Sequence, residues 1–579
     1  MSVVRVRTWA VIAAMVAASV PSAASAESRH ARVDRQIADL DQGGGQSTQK
    51  LRVIVQPGRN SAAVLKALRS RGVSIRRNHA RIGRMAVELS RRDLKWLETL
   101  DGVDSLSLDA PVTAAPLANS EFTEGRTFTS LGKGKSYGNQ TVGANSLITG
   151  DGSTFNGNEL RALLGVANDA HRGAGVGIAV IDSGIAPVAD LADRITAFYD
   201  FTNGQGGVPT TPVDGYGHGT HVAGLAAGSG LMSNGQYEGV APDAHLIGLR
   251  VLDDSGSGST SDVLAAVEFA IANKAALGID VINMSLGHPP LESATTDPLV
   301  QAVQAATQAG IIVVVSAGNV GVNATTGQIG YAGILSPGNA PNAITVASAK
   351  PMGTLDPTDD LVANYSSRGP SWIDGYAKPD VAVPGQMLLA PAAPGSFLVT
   401  HYPSLLSADG NYIALSGTSM AAGVESGLVA LVLEANREAR LVPTAPDLTA
   451  NAIKAFMEYT AIPMHDATGA DYDRLSQGAG RVNGQGVMAL AQSVDTSVPV
   501  GSPWLTTAVV PSSTYDGVQI PWAQNLVWGN NIVWGENIIW GENIVWGENI
   551  VWGENIVWGE NIVWGENIVW GESYNGGGK

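Results

Sequence analysis

The sequence predicts an α/β protein in which a mostly parallel sheet lies between layers of helices. Three observations support this expectation. Between Leu160 and Ala491, continuous apolar runs alternate with helix-like runs, a pattern typical of strands buried on both faces of a sheet. Residues 50–110 alternate strand and helix patterns over a shorter stretch, which predicts a small α+β domain. A six-residue motif then recurs at the C-terminal end, so a repeat tail follows the large domain.

The composition excludes several classes of protein. With 579 residues, of which 44% are hydrophobic and 15% charged, the chain can bury a large core and is not wholly disordered. Its 52 acidic residues against 35 basic ones argue against general nucleic-acid binding, which needs clustered Lys and Arg. The chain contains no cysteine, which rules out disulfide scaffolds, Cys-ligated zinc and thiol catalysis.

The N-terminal residues have the layout of a signal peptide. Arg5 and Arg7 precede a short apolar run, and residues 24–26 match an A-x-A cleavage site. We therefore expect residues 1–26 to be removed and the protein to be secreted, to the extracellular space or the cell surface. A membrane anchor or a core segment is the alternative. No later stretch of about 20 apolar residues is found, so we expect no membrane span after signal removal.

Residues 50–110 form a basic unit ahead of an acidic remainder. They carry 13 Lys and Arg against 6 Asp and Glu, a net charge of +7, whereas residues 111–579 carry a net charge of −25. Electrostatic complementarity between the two units is expected. An RNA-binding module is the alternative, but the segment lacks interleaved aromatic residues. The patterns predict strands at 51–55, 84–89 and 103–108, and helices at 61–71 and 92–100.

A linker and a large domain are predicted to follow this unit. Residues 111–157 are rich in Gly, Ser, Thr and Asn and are interpreted as a linker that is open to proteolysis. Residues 158–495 form the predicted large domain, where functional sites are expected at the carboxyl ends of the strands. Its apolar runs predict strands at 176–181, 246–252, 281–284, 311–315 and 343–346, and helices at 261–274 and 298–309.

Three motifs in the large domain carry the residues of a serine nucleophile system. Asp182 directly follows the first predicted strand, His218 lies in Gly-His-Gly-Thr-His, and Ser419 lies in Ser-Gly-Thr-Ser-Met-Ala. Their order along the chain is one of the known orders of a serine triad. A serine hydroxyl needs an adjacent base, histidine titrates near neutral pH, and an aspartate fixes the histidine tautomer. The pattern therefore predicts nucleophilic catalysis by the serine.

The negative charge formed in such a reaction needs hydrogen-bond donors. Asn319, in Ser-Ala-Gly-Asn, follows a predicted strand and has a suitable side-chain amide. The backbone N–H of Ser419 is the second expected donor, because it would lie at the start of a helix. No metal is predicted, since His218 and His221 lack the H-E-x-x-H spacing and a third ligand. His221 is expected to be a structural residue.

These blocks resemble the subtilases, the subtilisin-like serine endopeptidases. The likeness extends to Ile282–Gly287, Tyr365–Pro370, the Lys-Pro-Asp motif at 378–380 and Gly478–Val482. The resemblance implies a subtilisin-like three-layer domain. It also implies that residues 50–110 are an inhibitory propeptide domain, so the enzyme would be a zymogen inhibited by its own propeptide. Protein or peptide substrates are implied, with no cofactor required for the chemistry.

The resemblance further implies which residues bind the substrate. Ser257 and Gly258 on one side match a segment that holds an extended peptide in relatives. Ser285, Leu286 and Gly287 match the segment on the other side of that peptide. Backbone pairing of this kind gives affinity with little selectivity for sequence.

The resemblance also bears on the specificity pocket, a calcium site and the residues after the serine. Ala317 and Gly318 match the lining of the primary specificity pocket. Asp190 matches a calcium ligand of many relatives with a spacing one residue short, so a structural calcium ion stays open and unassigned. Two residues depart from the family pattern after the serine. Gly423 replaces a usual Pro, and Glu425 is expected to fall on a buried face, where it needs a partner.

Residues 525–572 are eight copies of a hexapeptide close to Asn-Ile-Val-Trp-Gly-Glu, and they hold eight of the 13 Trp residues. In a continuous strand, each Ile and Trp would lie on one face and each Val on the other. The tail is interpreted as low-complexity sequence, as an adhesive element that self-associates or binds surfaces, or as a secretion or assembly signal. Two functions follow: a secreted serine endopeptidase, or a catalytically inactive secreted adhesion protein that acts through its tail.

Overall fold

The structure, a computed structural model, describes residues 31–42, 50–114, 159–204, 206–322, 327–498 and 504–524. The predicted signal peptide, most of the predicted linker and the repeat tail lie outside these residues.

The first described residues form a small α+β domain with its own apolar core. Its sheet has the strand order β1-β5-β2-β4-β3, and its elements are β1 (Arg32–Val33), α1 (Arg35–Gln42), β2 (Lys50–Pro57), α2 (Ser61–Arg71), β3 (Ser74–His79), β4 (Arg84–Ser90), α3 (Arg91–Glu98) and β5 (Val103–Leu108). Helix α2 starts where the side chain of Asn60 accepts from the backbone N–H of Ala63, and it ends at Gly72, which adopts the left-handed conformation.

This domain differs from the predicted 50–110 unit in two ways. Strand β3 was not predicted, because its Ser-Ile-Arg-Arg-Asn-His sequence is polar. Strand β1 pairs in parallel with β5, and Ile37 of α1 lies in the apolar core, so the domain begins before residue 50.

The remaining elements follow in chain order. The strands are β6 (Pro111–Ala114), β7 (Gly177–Asp182), β8 (Ile195–Asp200), β9 (Val208–Pro209), β10 (His245–Arg250), β11 (Ser257–Ser259), β12 (Ile279–Met284), β13 (Leu286–Gly287), β14 (Ile312–Ser316), β15 (Ile344–Lys350), β16 (Leu361–Val362), β17 (Val381–Pro384), β18 (Leu388–Pro391), β19 (Tyr412–Leu415), β20 (Ser512–Tyr515) and β21 (Val518–Pro521). The helices are α4 (Glu159–Leu163), α5 (His218–Ala227), α6 (Thr260–Leu277), α7 (Pro298–Gln308), α8 (Phe397–His401), α9 (Thr418–Ala439), α10 (Ala450–Thr460), α11 (Arg474–Gln477) and α12 (Gly484–Ser493), with 3-10 turns at Thr202–Gly204, Leu231–Ser233 and Pro403–Leu405.

A mixed, mostly parallel sheet forms the centre of the large domain. Within the described part of the chain it has nine strands in the order β16-β15-β14-β12-β7-β10-β8-β9, with β17 also paired to β15. Strands β16 and β9 at the two ends of that order are antiparallel to their neighbours, whereas the inner pairs are parallel. The five predicted strands and the two predicted helices are present, with ends shifted by at most four residues.

Alternate residues of β7 show the three layers. Ile178 and Val180 belong to the apolar cluster that contains α5 and α9, whereas Ala179 and Ile181 belong to the cluster that contains α6 and α7. Because successive strand residues point to opposite faces, helices cover both faces of the sheet. Helix α9 is long and apolar enough to cross a bilayer, but its apolar window is wholly buried inside this domain.

Two predicted boundaries need correction. The linker was expected to start at residue 111, but Pro111–Ala114 forms β6, which pairs with β11 and β13 of the large domain. The large domain was expected to end at residue 495, but the hairpin of β20 and β21 packs against it with Trp522 buried. Strand β6 is short and its partners are over 140 residues away, so local patterns do not reveal it. Strands β20 and β21 are also short, with four residues each.

Candidate active site

Asp182 and His218 meet at the carboxyl end of the central sheet. Asp182 is the last residue of β7, and His218 is the first residue of α5. His218 Nδ1 lies 2.8 Å from Asp182 Oδ1 and 3.0 Å from Oδ2. Both side chains have no solvent-exposed surface. Gly217, which precedes the histidine, has a φ of 100°, a conformation that favours glycine at this turn.

A second buried carboxylate, Asp214, holds the turn that carries His218. Its oxygens accept from the Ser183 hydroxyl at 2.9 Å, from Gly217 N at 2.7 Å, and from both N and Oγ1 of Thr220. Ser183 in turn accepts from the N–H of Gly219 at 3.0 Å. The sequence interpretation missed Asp214, and its only signal was a polar residue close before the histidine motif.

The electrostatic environment favours the charged form of His218. Burial lowers the pKa of the imidazole, but the charge of Asp182, the hydrogen bond to it and the charge of Asp214 together outweigh this effect. The pKa of His218 is therefore raised above its ordinary value. Its other nitrogen, Nε2, is buried and has no hydrogen-bond partner among the described residues, so the neutral imidazole can accept a proton there.

Ser419 lies at the start of the longest core helix. It is the second residue of α9, and its hydroxyl donates to the carbonyl of Ser285 at 3.3 Å. The Ser285 hydroxyl donates to the carbonyl of Ser419 at 3.0 Å and to Asn283 Oδ1 at 3.0 Å, which ties the turn after β12 to this helix. Ser419 is completely buried in this form of the protein.

Asn319 is held beside the same helix start. Its side-chain oxygen accepts from the backbone N and the hydroxyl of Thr418, both at 2.9 Å. A Cβ atom at Gly417 would lie 3.0 Å from Asn319 Nδ2, so a larger residue there would push against the amide. The amide nitrogen of Asn319 therefore faces the turn that precedes Ser419.

The residues expected in the primary specificity pocket also lie beside the start of α9. Ala317 is buried, and the N–H of Gly318 donates to the Thr418 hydroxyl at 3.1 Å. Gly318 has a φ of 110°, and its added Cβ would meet Leu335 at 2.7 Å, so glycine is needed for both conformation and space.

The two segments expected to hold a peptide hold a strand of this same chain. Strand β6 lies between β11 and β13 and is antiparallel to both: Val112 is opposite Gly258, and Ala114 is opposite Leu286. The N–H of Ala114 also donates to the carbonyl of Gly256 at 3.2 Å. Ser257, Gly258, Leu286 and Gly287 thus contribute backbone pairing, while Ser285 contacts Ser419.

The small domain makes further contacts around this strand. Asp109 accepts from the N and Oγ of Ser261, and the carbonyl of Ala110 accepts from Thr260, so both satisfy the first turn of α6. Glu268 of α6 accepts from the backbone N–H of Arg81 at 2.8 Å and lies 3.0 Å from His79 Nδ1. The strand in the groove is therefore continuous with a broad contact between the two domains.

Two other residues singled out in the sequence, His221 and Asp190, have hydrogen-bond partners outside the triad. His221 Nε2 faces the carbonyls of Leu388 and Ile413, and burial lowers its pKa to about 3, so it is a neutral structural residue. Asp190 accepts from Met232 N at 2.7 Å and from the Tyr412 hydroxyl at 2.6 Å.

Glu425 lies on the buried face of α9, as expected, but the expected partner is missing. Neither of its carboxylate oxygens has a hydrogen-bond partner within the described structure. Burial raises its pKa to about 8, an effect that the charge of Arg481 only partly offsets. At neutral pH this side chain is mainly the uncharged acid.

Comparison with known proteins agrees with this geometry. Residues 173–487 match the model of the Subtilase family. The chain is 38% identical over 344 residues to the serine protease AprX of Bacillus subtilis strain 168, which covers 56% of this chain and 72% of the relative. It is 33% identical over 303 residues to subtilisin DY of Bacillus licheniformis, covering 52% of this chain and 89% of the relative.

A solved structure supports the fold alone. The crystal structure of fervidolysin from Fervidobacterium pennivorans, described as a keratinolytic enzyme related to subtilisin, aligns with a TM-score of 0.54 and 21% identity. The alignment covers 84% of this chain and 65% of that chain. Taken with the family match over more than half of the sequence, these similarities lead to one conclusion: the chain belongs to the subtilase family of serine endopeptidases.

Proposed function

We propose that this protein hydrolyses peptide bonds in proteins by nucleophilic catalysis with Asp182, His218 and Ser419. The observation that carries the proposal is the 2.8 Å contact between His218 Nδ1 and Asp182 Oδ1. His218 Nε2 has no hydrogen-bond partner among the described residues, and Ser419 lies buried at the start of α9, the helix that packs against α5. The Ser419 hydroxyl must turn from the Ser285 carbonyl toward His218 before it reacts.

The steps follow from these groups. His218 Nε2 takes the proton of the Ser419 hydroxyl as the oxygen attacks the peptide carbonyl, and Asp182 stabilises the resulting imidazolium. The side-chain amide of Asn319 and the N–H of Ser419 donate to the oxyanion. His218 then protonates the leaving amine, and water releases the acyl group by the reverse sequence. This chemistry requires no metal or organic cofactor.

We further propose that the protein is made as an exported zymogen. Residues 1–26 would direct secretion, and the small domain would block the active site with β6 in the substrate groove. The complete burial of Ser419 and the pairing of β6 on both sides support this proposal. Activation then requires cleavage in or near residues 109–126 and departure of the small domain.

Labelling with a fluorophosphonate tests both parts. Purified protein that has lost the small domain is expected to gain one adduct, mapped to Ser419 by mass spectrometry, and the Ser419→Ala variant is expected to gain none. Ser426→Ala is the matched control, because it removes a buried hydroxyl from the same helix. Full-length protein is expected to label more slowly. Absence of an adduct on protein without the small domain contradicts the catalytic assignment.

A further inference from the structure

The last described residues have the pattern of the tail hexapeptide. Residues 519–524 read Gln-Ile-Pro-Trp-Ala-Gln, and the first tail copy begins directly afterwards, at residue 525. Trp occupies the fourth position in this unit and in all eight copies, and Ile occupies the second position in this unit and in seven copies, the first copy having Leu526. Pro, Ala and Gln stand where most tail copies have Val, Gly and Glu. The hexapeptide array therefore starts one unit earlier than its regular copies, inside the part of the chain that the structure describes.

The two shared side chains of this unit are the ones that are buried. Ile520 packs with Ile462 and Tyr515, and Trp522 Nε1 donates to the Ser513 hydroxyl at 2.9 Å. Gln519 and Pro521, at the odd positions, are exposed. This is the alternation of an extended strand with one face against the protein.

The surrounding surface fits a tryptophan at this place. The Trp522 ring meets Tyr459 edge-on, with ring centres 6.1 Å apart and planes at 79°. A Cβ atom at Gly486 would approach the Trp522 ring to 3.0 Å, so a larger residue there would crowd the ring. Asn483 donates to the Ser513 hydroxyl, which fixes the group that receives the indole N–H.

The backbone of the unit is also bound. Ile520 pairs with Ser513 in the hairpin, and Trp522 N donates to the carbonyl of Pro511 at 3.0 Å. Ala523 N donates to Ala461 O at 2.7 Å, and Gln524 N donates to Tyr459 O at 3.0 Å. These contacts depend on main-chain groups that every tail copy possesses.

We propose that this repeat-docking face, formed by Tyr459, Ala461, Gly486, Ser513 and Tyr515, is a binding site for an Ile-x-Trp strand. Residues 519–524 fill it in each chain, and a tail hexapeptide of a second copy can take their place. The buried contacts use features that the copies share, namely Trp, an Ile in most copies and the backbone N–H groups. Gln519 and Gln524 add side-chain hydrogen bonds to Ser512 and Tyr459 at the edge of the face. A directly attached segment has the higher effective concentration, so exchange requires the chain's own unit to be weakened.

A unit transplant tests the first half of the proposal. In the full-length Ser419→Ala protein, which limits self-cleavage, residues 519–524 are changed to Asn-Ile-Val-Trp-Gly-Glu by Q519N, P521V, A523G and Q524E. Amide hydrogen exchange of residues 522–524 is expected to stay within about threefold of the parent, whereas Trp522→Ala speeds it by about tenfold or more. Equal loss of protection in both variants overturns the proposal. Unchanged protection of α9 shows that the domain itself remains folded.

Disulfide trapping tests the second half, and the chain is suited to it because it contains no cysteine. Thr514 is opposite Gln519 in the hairpin, and Asn531 has the position of Gln519 in the second tail copy. One copy carries T514C with I520A and W522A, and the other carries N531C, both in the Ser419→Ala background.

Mild oxidation of the mixture is expected to give a mixed dimer linked through residues 514 and 531. The matched control replaces N531C by E536C, at the sixth position of the same copy, and is expected to give about tenfold less dimer. A T514C/Q519C chain is the positive control, because its cysteines are opposite within one hairpin. Equal yields for N531C and E536C, or no dimer while the positive control forms, overturn exchange between copies.

Discussion

Asp214 shows how a residue outside the triad can set the behaviour of His218. It receives four hydrogen bonds from the segment that positions the histidine, and its negative charge helps to raise the histidine pKa. The position and the protonation of His218 therefore both depend on it.

We expect Asp214→Asn to lower kcat/KM by about tenfold, since an amide cannot accept all four donors and the histidine shifts. The acid limb of the pH profile should also move to lower pH. His218 acts as a base only when neutral, and loss of the nearby charge lowers its pKa. Asp254→Asn, at an exposed carboxylate, is the control. An unchanged pH profile argues against an electrostatic role for Asp214.

Glu425 is expected to make stability depend on pH. Its pKa is about 8 in the folded state and about 4.3 in an unfolded chain. Between these two pH values the folded protein keeps a proton that the unfolded chain releases. Stability from this group is full below about pH 4.3 and is lost as pH rises toward 8.

Replacement by a neutral isostere removes this dependence. The change in the free energy of unfolding caused by Glu425→Gln should be more stabilising near pH 7 than near pH 4.5, by about 3 kcal/mol. Denaturant titrations of both proteins at the two pH values measure this difference. If Glu425→Gln changes the free energy of unfolding by the same amount at both pH values, the carboxyl is not protonated in the folded state.

At the scale of elements, β6 joins the two domains through the groove. Val112 has no exposed surface, while its neighbour Pro111 is exposed. Val112→Asp would bury an unpaired carboxylate, which costs several kcal/mol and weakens the seating of the strand.

We therefore expect Val112→Asp to shorten the lag before peptidase activity appears in freshly purified protein. Pro111→Asp is the matched control and should leave the lag nearly unchanged. Hydrolysis of a small peptide substrate measures both. An identical lag in the two variants argues that β6 does not limit access to the groove.

The elements also show what the sequence can reveal. Asp182 and His218 stand at the ends of elements in short motifs, so their meeting follows from the topology of a parallel sheet. Asn319 follows β14 by three residues and contacts Thr418 at the start of α9. Strand β6 has four residues, and its partners lie over 140 residues away, so no local pattern indicates it. Helix α9 is mostly apolar, which indicates from sequence that Glu425 falls on a buried face. Whether its carboxyl has a partner depends on the packing of the whole domain, and none is found among the described residues.

Charge acts at the scale of the whole molecule. The small domain is basic and the rest is acidic, and Arg77 lies within the field of Asp262 and Glu268, as Arg84 does for Glu292 and Asp297. His79 Nδ1 lies 3.0 Å from Glu268 Oε2 across the contact between the two domains. The attraction between the opposite net charges of the two domains acts over a longer range and is sensitive to screening by salt.

Raising NaCl from about 0.05 M to about 0.5 M should shorten the activation lag by about twofold or more, because a shorter Debye length weakens this attraction. The rate of fully activated enzyme on a small peptide, measured at each salt concentration, corrects for effects on catalysis. A lag that is constant or longer at high salt would mean that apolar packing and hydrogen bonds hold the small domain.

The position of Ser419 on α9 has a consequence for how this protein loses activity. The proposed nucleophile is the second residue of a helix whose next seventeen residues, 420–436, are all buried. Any loosening of the core around this helix displaces the reacting oxygen. Enzymatic rate during heat or urea denaturation should therefore count intact molecules, and its midpoint should coincide with that of tryptophan fluorescence or circular dichroism.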